Sequence, residues 1–200
     1  TGGAGSRYLT RRALRSASRI VAVSRFTAGL VADLGCARPV DVIPNGADAD
    51  LHRQDPPAGA AFRQRHGLGD RPMLLTVGNV TERKGQHLVV DALPRIVAAV
   101  PEVMYVVVGR PTTGDALRAR ARALGVADHV VVTGQVDATE VSAAYAAADV
   151  FAMTSTTTAS GDVEGFGIAV LEAALSGVPA VVTVGTGAEE TVVDDVTGLA

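Results

Sequence analysis

Two carboxylates, Glu164 and Glu172, flank a glycine-rich turn in residues 160–179, SGDVEGFGIAVLEAALSGVP, which holds the densest set of binding devices in the sequence. Gly165 and Gly167 surround Phe166, and an apolar run of helical spacing follows from Ile168 to Leu175 before Gly177 and Pro179 end it. The pattern predicts a helix opened by glycine. Such an opening presents unpaired backbone N–H groups and the positive end of the helix dipole, and the missing Cβ atoms admit an oxyanion or hydroxyl to close range. Phosphates and sugars suit that socket.

Taken alone, Glu164 reads as an acid complementing a helix N-terminus. Glu172 is less ordinary. At about 100° per residue it lies roughly 40° from Ile168 and 60° from Leu175, on the face that should be apolar. It is either an edge position whose stem snorkels to water or a carboxylate lining a cleft. A second cluster, NVTERKG, follows Gly78 and puts Arg83 and Lys84 in a strand-to-helix loop. A nucleoside-triphosphatase P-loop is rejected, because Arg83 stands where that motif needs glycine and Gly85 where it needs serine or threonine.

The elements that must position these groups are legible as an alternation. Apolar strands at residues 74–77, 104–108 and 130–133 end in Gly78, Gly109 and Gly134, and helical text follows each at 86–100, 115–124 and 139–147. Strands at 150–153 and 180–184 continue the series. The expected fold class is α/β, a doubly wound, Rossmann-like sheet of mainly parallel strands. In such sheets ligands bind at the carboxyl ends of the strands. Glycine there either lets backbone approach a ligand or serves only as a turn residue.

Upstream, residues 1–5 read as a glycine-rich loop, and residues 8–18 as an amphipathic helix whose Arg11, Arg12 and Arg15, with Arg7 just before it, face water or anionic lipid. Strands are expected at 20–23 and 40–43, with Ser24 as N-cap of a helix at 27–34. The polar, proline-containing residues 48–57 mark a linker, followed by a short helix at 60–66.

A chain of 200 residues with 48% hydrophobic content forms one domain, or one plus a fragment. Its net charge of −3 and its lack of tryptophan argue against generic nucleic-acid binding. The lone Cys36 excludes an internal disulfide, and no cysteine–histidine spacing suits zinc. His52, His66, His87 and His129 are scattered, so a structural or surface role is the default for each and no catalytic triad can be assembled. No apolar run spans a membrane and no leader pattern is present, which points to the cytoplasm. Asn79-Val80-Thr81 matches a glycosylation acceptor that has no use there.

Two glutamates seven residues apart around Gly-Phe-Gly resemble the signature of retaining, family-4-type glycosyltransferases of GT-B fold. VIPNGAD at residues 42–48, ERKG at 82–85, AAADVFAMTS at 146–155, GVP at 177–179 and TGL at 197–199 sit in that family's order. The GDVEGFG loop is most similar to bacterial mannosyltransferases that use GDP-mannose on lipid or inositol acceptors. The resemblance implies that Lys84 holds the diphosphate of the sugar donor and that Arg83 substitutes for the family's arginine, whose usual position Asn79 occupies. It implies that Glu172 binds ribose, and that Glu164 with the backbone of Gly165, Phe166, Gly167 and Ile168 holds the transferred sugar and phosphate. It places the base against Gly134 to Val136, at the end of the third strand. Gly187 and Glu190 match the family's Gly-Gly-x-Pro-Glu, from which Thr186 and Glu189 depart.

On this resemblance residues 1–47 are the tail of an acceptor-side domain, 48–72 a linker with a short helix, and 73–200 a sugar-donor domain lacking its last helices. The expected protein is the donor half of a hexosyltransferase, inactive in isolation. It uses a GDP- or UDP-sugar as co-substrate, with no metal and no other cofactor. Its acceptor is a lipid, inositol or saccharide, and nucleic acid is not a partner. Self-association through the two N-terminal strands and peripheral contact with the inner membrane face are further expectations. The rival functions are a related sugar-nucleotide epimerase and a non-catalytic nucleotide-binding module. A dinucleotide-binding dehydrogenase is disfavoured, because no strand is followed by the GxGxxG fingerprint.

Overall fold

The computed structural model describes residues 4–200, and the start of the expected glycine-rich loop, residues 1–3, lies outside them. The first helix, α1 (Ala4–Ser16), begins earlier than its apolar pattern suggested, since Gly5 in a helix costs only about 1 kcal/mol. It stops at Ser16, whose hydroxyl donates back to the Ala13 carbonyl at 3.0 Å. Strands β1 (Val21–Ala22) and β2 (Asp41–Val42) pair in parallel as a two-stranded sheet, each shorter than expected. Between them runs α2 (Arg25–Asp33), and its N-cap is Ser24 as the sequence indicated, with Oγ accepting from Thr27 N–H at 2.9 Å.

The text read as linker begins a helix. In α3 (Pro56–Arg65) the Asp55 carboxylate caps the N-terminus by accepting from Ala58 N–H at 3.0 Å, and prolines occupy the first turn, where no backbone N–H is needed. These prolines start an element.

The rest of the chain alternates strand and helix: β3 (Met73–Val77), α4 (Gln86–Ala99), β4 (Met104–Val108), α5 (Gly114–Ala123), β5 (Val130–Gly134), α6 (Ala138–Ala147), β6 (Val150–Met153), α7 (Ile168–Leu175), β7 (Ala180–Val182) and β8 (Gly198–Leu199). Strand β7 ends two residues early, where the Thr183 hydroxyl donates to the Ser155 carbonyl and the chain turns away. The short β8 was not foreseen; two residues carry no period.

These strands form a six-stranded sheet in the order β5-β4-β3-β6-β7-β8, and every pairing is parallel. Alternating residues of β4 serve both faces. Met104, Val106 and Val108 join a core with Phe62, Tyr145, Phe151 and Val170 beneath α3, α6 and α7, whereas Tyr105 and Val107 pack with Val90, Leu93 and Leu117 beneath α4 and α5. Both faces of β4 are closed to water, which is why that strand is apolar throughout rather than alternating. From β3 the chain moves outward in one direction through β4 and β5, then returns to β6 and moves outward in the other. The crevice of a doubly wound sheet opens at that reversal, between the carboxyl ends of β3 and β6.

Candidate functional site

The loops leaving β3 and β6 are fastened together across the reversal. Thr154 Oγ1 donates to the Gly85 carbonyl at 2.8 Å, and Thr156 N–H donates to the Arg83 carbonyl at 2.8 Å. Gly85 adopts φ +68°, and a Cβ there would stand 1.8 Å from the Thr154 carbonyl oxygen, so only glycine permits this approach. The fastening fixes the 3-10 turn Glu82–Lys84 and aims two cations across the crevice.

Both cations meet Glu164. Arg83 Nη1 and Lys84 Nζ donate to the same Oε2 at 2.5 and 2.7 Å, and Arg83 Nε also lies 3.2 Å from Asp162 Oδ2. The Glu164 side chain is 13% exposed and that of Lys84 17%. Burial pushes the Glu164 carboxyl up, but the Lys84 ammonium and Arg83 guanidinium beside it outweigh that and hold it below the usual range. The Lys84 stem passes beside Gly78, where an added Cβ would stand 3.4 Å from Cε. Arg83, Lys84, Gly78 and Glu164, singled out in the sequence, therefore converge. Among the described residues Asn79 takes part only through its carbonyl, which accepts from Gln86 Nε2 at 3.1 Å; the guanidinium of the cluster is that of Arg83.

Past Glu164 the backbone is held from behind. Gly187 N–H donates to the Glu164 carbonyl at 2.9 Å, and Ser24 Oγ and Thr27 Oγ1 both donate to the Gly165 carbonyl, at 2.7 and 3.1 Å. Gly167 turns at φ +93°, against Ala188 and Met153, and opens α7 with no side-chain cap. Among the described residues the N–H groups of Phe166, Gly167 and Ile168 have no hydrogen-bond partner. Three backbone donors and a helix N-terminus thus adjoin the ion cluster, an arrangement suited to phosphate oxygens.

Helix α2 is latched to the same region. Glu190 accepts from Phe26 N–H at 2.6 Å and Arg25 N–H at 3.0 Å. Desolvation raises its carboxyl, but these donors and the Arg25 guanidinium bring it below its ordinary value. Thr186, which departs from the family's pattern, is buried and accepts from Ala188 N–H at 3.3 Å, capping the turn that carries Glu190.

Glu172 does not snorkel. Tyr145 Oη donates to its Oε2 at 2.7 Å, His52 Nε2 lies 3.7 Å from Oε1, and the side chain is 24% exposed. Burial, and then the same carboxylate, drives the Tyr145 phenol well above its ordinary value. At the third strand end, β5 carries an extra residue, Thr133, opposite the Val107–Val108 step of β4. This bulge re-aims the backbone from Gly134 to half-buried Val136 at the crevice edge. Gln135 between them accepts from Arg110 Nη2 at 3.3 Å.

Sequence reasoning missed Tyr145, His52, Asp162 and Thr27. Tyr145 sits in an alanine-rich apolar run, and His52 in a polar stretch without periodicity; neither type nor spacing marks them. Among the described residues no group of histidine, cysteine, aspartate and glutamate could hold a metal ion, and no helix is long and apolar enough to cross a membrane.

Residues 60–200 match the model of the family "Glycosyl transferases group 1", and residues 2–51 that of "Glycosyltransferase Family 4". The chain is 41% identical over 195 residues to the GDP-mannose-dependent alpha-(1-6)-phosphatidylinositol monomannoside mannosyltransferase of Mycolicibacterium smegmatis, covering 96% of this chain and 51% of that protein. It is 35% identical over 170 residues to the D-inositol 3-phosphate glycosyltransferase of Xylanimonas cellulosilytica, covering 80% and 38%. Among solved structures, Anabaena Alr3699/HepE in complex with UDP and glucose superimposes with a TM-score of 0.87 at 28% identity, over 100% of this chain and 53% of that one. The chain spans about half the length of the curated relatives that match nearly all of it. A crevice at the sheet reversal, two glutamates spanning a Gly-Phe-Gly turn and a family model covering residues 60–200 lead to one conclusion: the chain belongs to the glycosyl transferases group 1 family.

Proposed function

We propose that this chain supplies the sugar-donor half of a retaining glycosyltransferase, binding a nucleoside diphosphate sugar in the crevice between β3 and β6. The observation that carries this reading is the convergence of Arg83, Lys84 and Glu164 beside the free N–H groups of Phe166, Gly167 and Ile168. In the proposed complex Lys84 and Arg83 face the diphosphate, and the three N–H groups and Glu164 hold the phosphate and the sugar. Glu172 accepts from the ribose hydroxyls, and the backbone from Gly134 to Val136 meets the base. Breaking the glycosyl phosphate bond develops negative charge on the leaving diphosphate. Fixed cations and oriented N–H groups lower that barrier without reorganising, so the proposed chemistry calls on no metal ion.

The names of the relatives make GDP-mannose the first sugar donor to test and an inositol-bearing lipid the first acceptor. Such an acceptor would bring the working protein to a membrane surface. Titration calorimetry with GDP, UDP, GDP-mannose and UDP-glucose tests the reading. Saturable one-to-one binding of at least one diphosphate, lost in Lys84→Ala with Glu164→Ala, is expected. No binding of any of the four at millimolar concentration would overturn it.

A further inference from the structure

We propose that Tyr145 and His52 are positioning residues that hold the Glu172 carboxylate in the orientation needed for the nucleotide ribose. The proposal rests on the nucleotide reading above and adds to it two residues that touch no substrate. Tyr145 is fully buried, tilted against Phe151 with ring centroids 5.6 Å apart, so its Oη is a fixed point from which to donate to Glu172 Oε2 at 2.7 Å. His52 meets Tyr145 edge-on, at 5.4 Å between centroids and 89° between planes, and is 5% exposed. Its Nε2 faces Glu172 Oε1 at 3.7 Å, while Nδ1 is buried with no partner among the described residues. A proton on Nδ1 would be buried without an acceptor, whereas one on Nε2 points at the carboxylate. The ring is therefore set to donate toward Glu172.

The two contacts address different oxygens. Tyr145 takes one lone pair of Oε2, His52 borders Oε1, and a carboxylate with about four acceptor positions keeps enough for a vicinal diol. Without them Glu172, whose side chain is only partly buried, would sample other rotamers and lose part of its preorganisation toward ribose. Helix α6, which follows the base-facing backbone, carries Tyr145, and the segment leading into α3 carries His52. Two separate pieces of chain thus converge on a carboxylate carried by a third, α7.

The test compares GDP and UDP with their 2′,3′-dideoxy counterparts by titration calorimetry, on the chain and on Glu172→Ala, Tyr145→Phe, His52→Leu and His52→Gln. If the proposal holds, Glu172→Ala weakens the ribose nucleotides and spares the dideoxy ones. Tyr145→Phe and His52→Leu should each reproduce part of that loss, roughly two- to tenfold, again only where the hydroxyls are present. His52→Gln, which keeps a donor on that side, should restore most of the affinity, and Tyr145→Phe should add nothing in a Glu172→Ala background. Ribose-selective loss in Glu172→Ala with none in Tyr145→Phe or His52→Leu overturns the positioning role alone. So does an equal loss for both kinds of nucleotide, the mark of a merely structural part. No ribose-selective loss in Glu172→Ala overturns the ribose role of Glu172 and this proposal together. Should His52→Leu not fold, Tyr145→Phe, which removes one oxygen, decides the matter.

Discussion

Replacing Lys84 with alanine separates a phosphate-binding cation from one that serves only the fold. Its side chain is 17% exposed, and the ammonium donates to Glu164 Oε2 at 2.7 Å, sharing that oxygen with Arg83 at 2.5 Å. Removing it leaves Glu164 with one cation and leaves an arriving diphosphate facing an under-compensated carboxylate. A charge-assisted hydrogen bond contributes about 1.5 to 3 kcal/mol, so affinity for GDP or UDP should fall by roughly 10- to 150-fold. The nucleoside, which presents no phosphate, should lose under about twofold by the same arithmetic. Titration calorimetry with each diphosphate and its nucleoside gives both numbers. The Glu164→Gln background adds a control: if Lys84 acts only by neutralising Glu164, its removal there has no further effect, and if it touches phosphate the loss persists. Equal losses for diphosphate and nucleoside, or a persistent effect below about twofold, would refute the phosphate assignment.

Three other perturbations have definite outcomes. The Glu164 carboxyl titrates below its ordinary value in the fold, so its stabilising contribution is complete above about pH 4.5 and is lost as pH falls through the depressed folded value; Glu164→Gln should remove that part of the acid dependence of melting, and parallel melting curves from pH 7 to 3 would contradict it. Gly167→Ala forces a side chain into φ +93° and sets a Cβ 3.1 Å from Ala188 Cβ and Met153 Sδ, which should cost about 1 to 3 kcal/mol and lower the melting temperature by roughly 3 to 10 °C; an unchanged midpoint would show that the turn adjusts. Ser24→Ala removes both the cap of α2 and the 2.7 Å bond to the Gly165 carbonyl, and should destabilise by about 1 to 2 kcal/mol in denaturant titrations, with Ser24→Thr recovering most of it. A loss below about 0.3 kcal/mol would mean that α2 is not held there.

What the sequence conveyed about this site follows from the range of the signals. Helix α7 and strands β4 and β6 agree residue for residue with their apolar patterns, because each is bounded by glycine, proline or a polar turn. Ser24 was legible as a cap because its effect is confined to the next turn. The start of α3 was not, since Asp55-Pro56-Pro57 has the composition of a linker and only the Asp55 cap and the first-turn placement of the prolines make it a helix. Arg83, Lys84 and Glu164 stood out by type, yet their meeting on one oxygen spans a sequence separation of 80 or 81 and depends on a sheet order that no local pattern encodes. Tyr145 and His52 lie further beyond reach. An apolar-run tyrosine and a solitary histidine acquire meaning only from the carboxylate that the fold sets between them.

Occupation of the crevice at the sheet reversal by a nucleoside diphosphate is observed directly by amide chemical-shift mapping of the isotopically labelled chain during titration with GDP, and separately UDP. The free N–H groups of Phe166, Gly167 and Ile168 should move most, together with Gly78, Lys84 and the backbone from Gly134 to Val136. Saturable binding that leaves Phe166, Gly167 and Ile168 unmoved while shifting amides elsewhere would place the ligand outside the crevice and contradict the account.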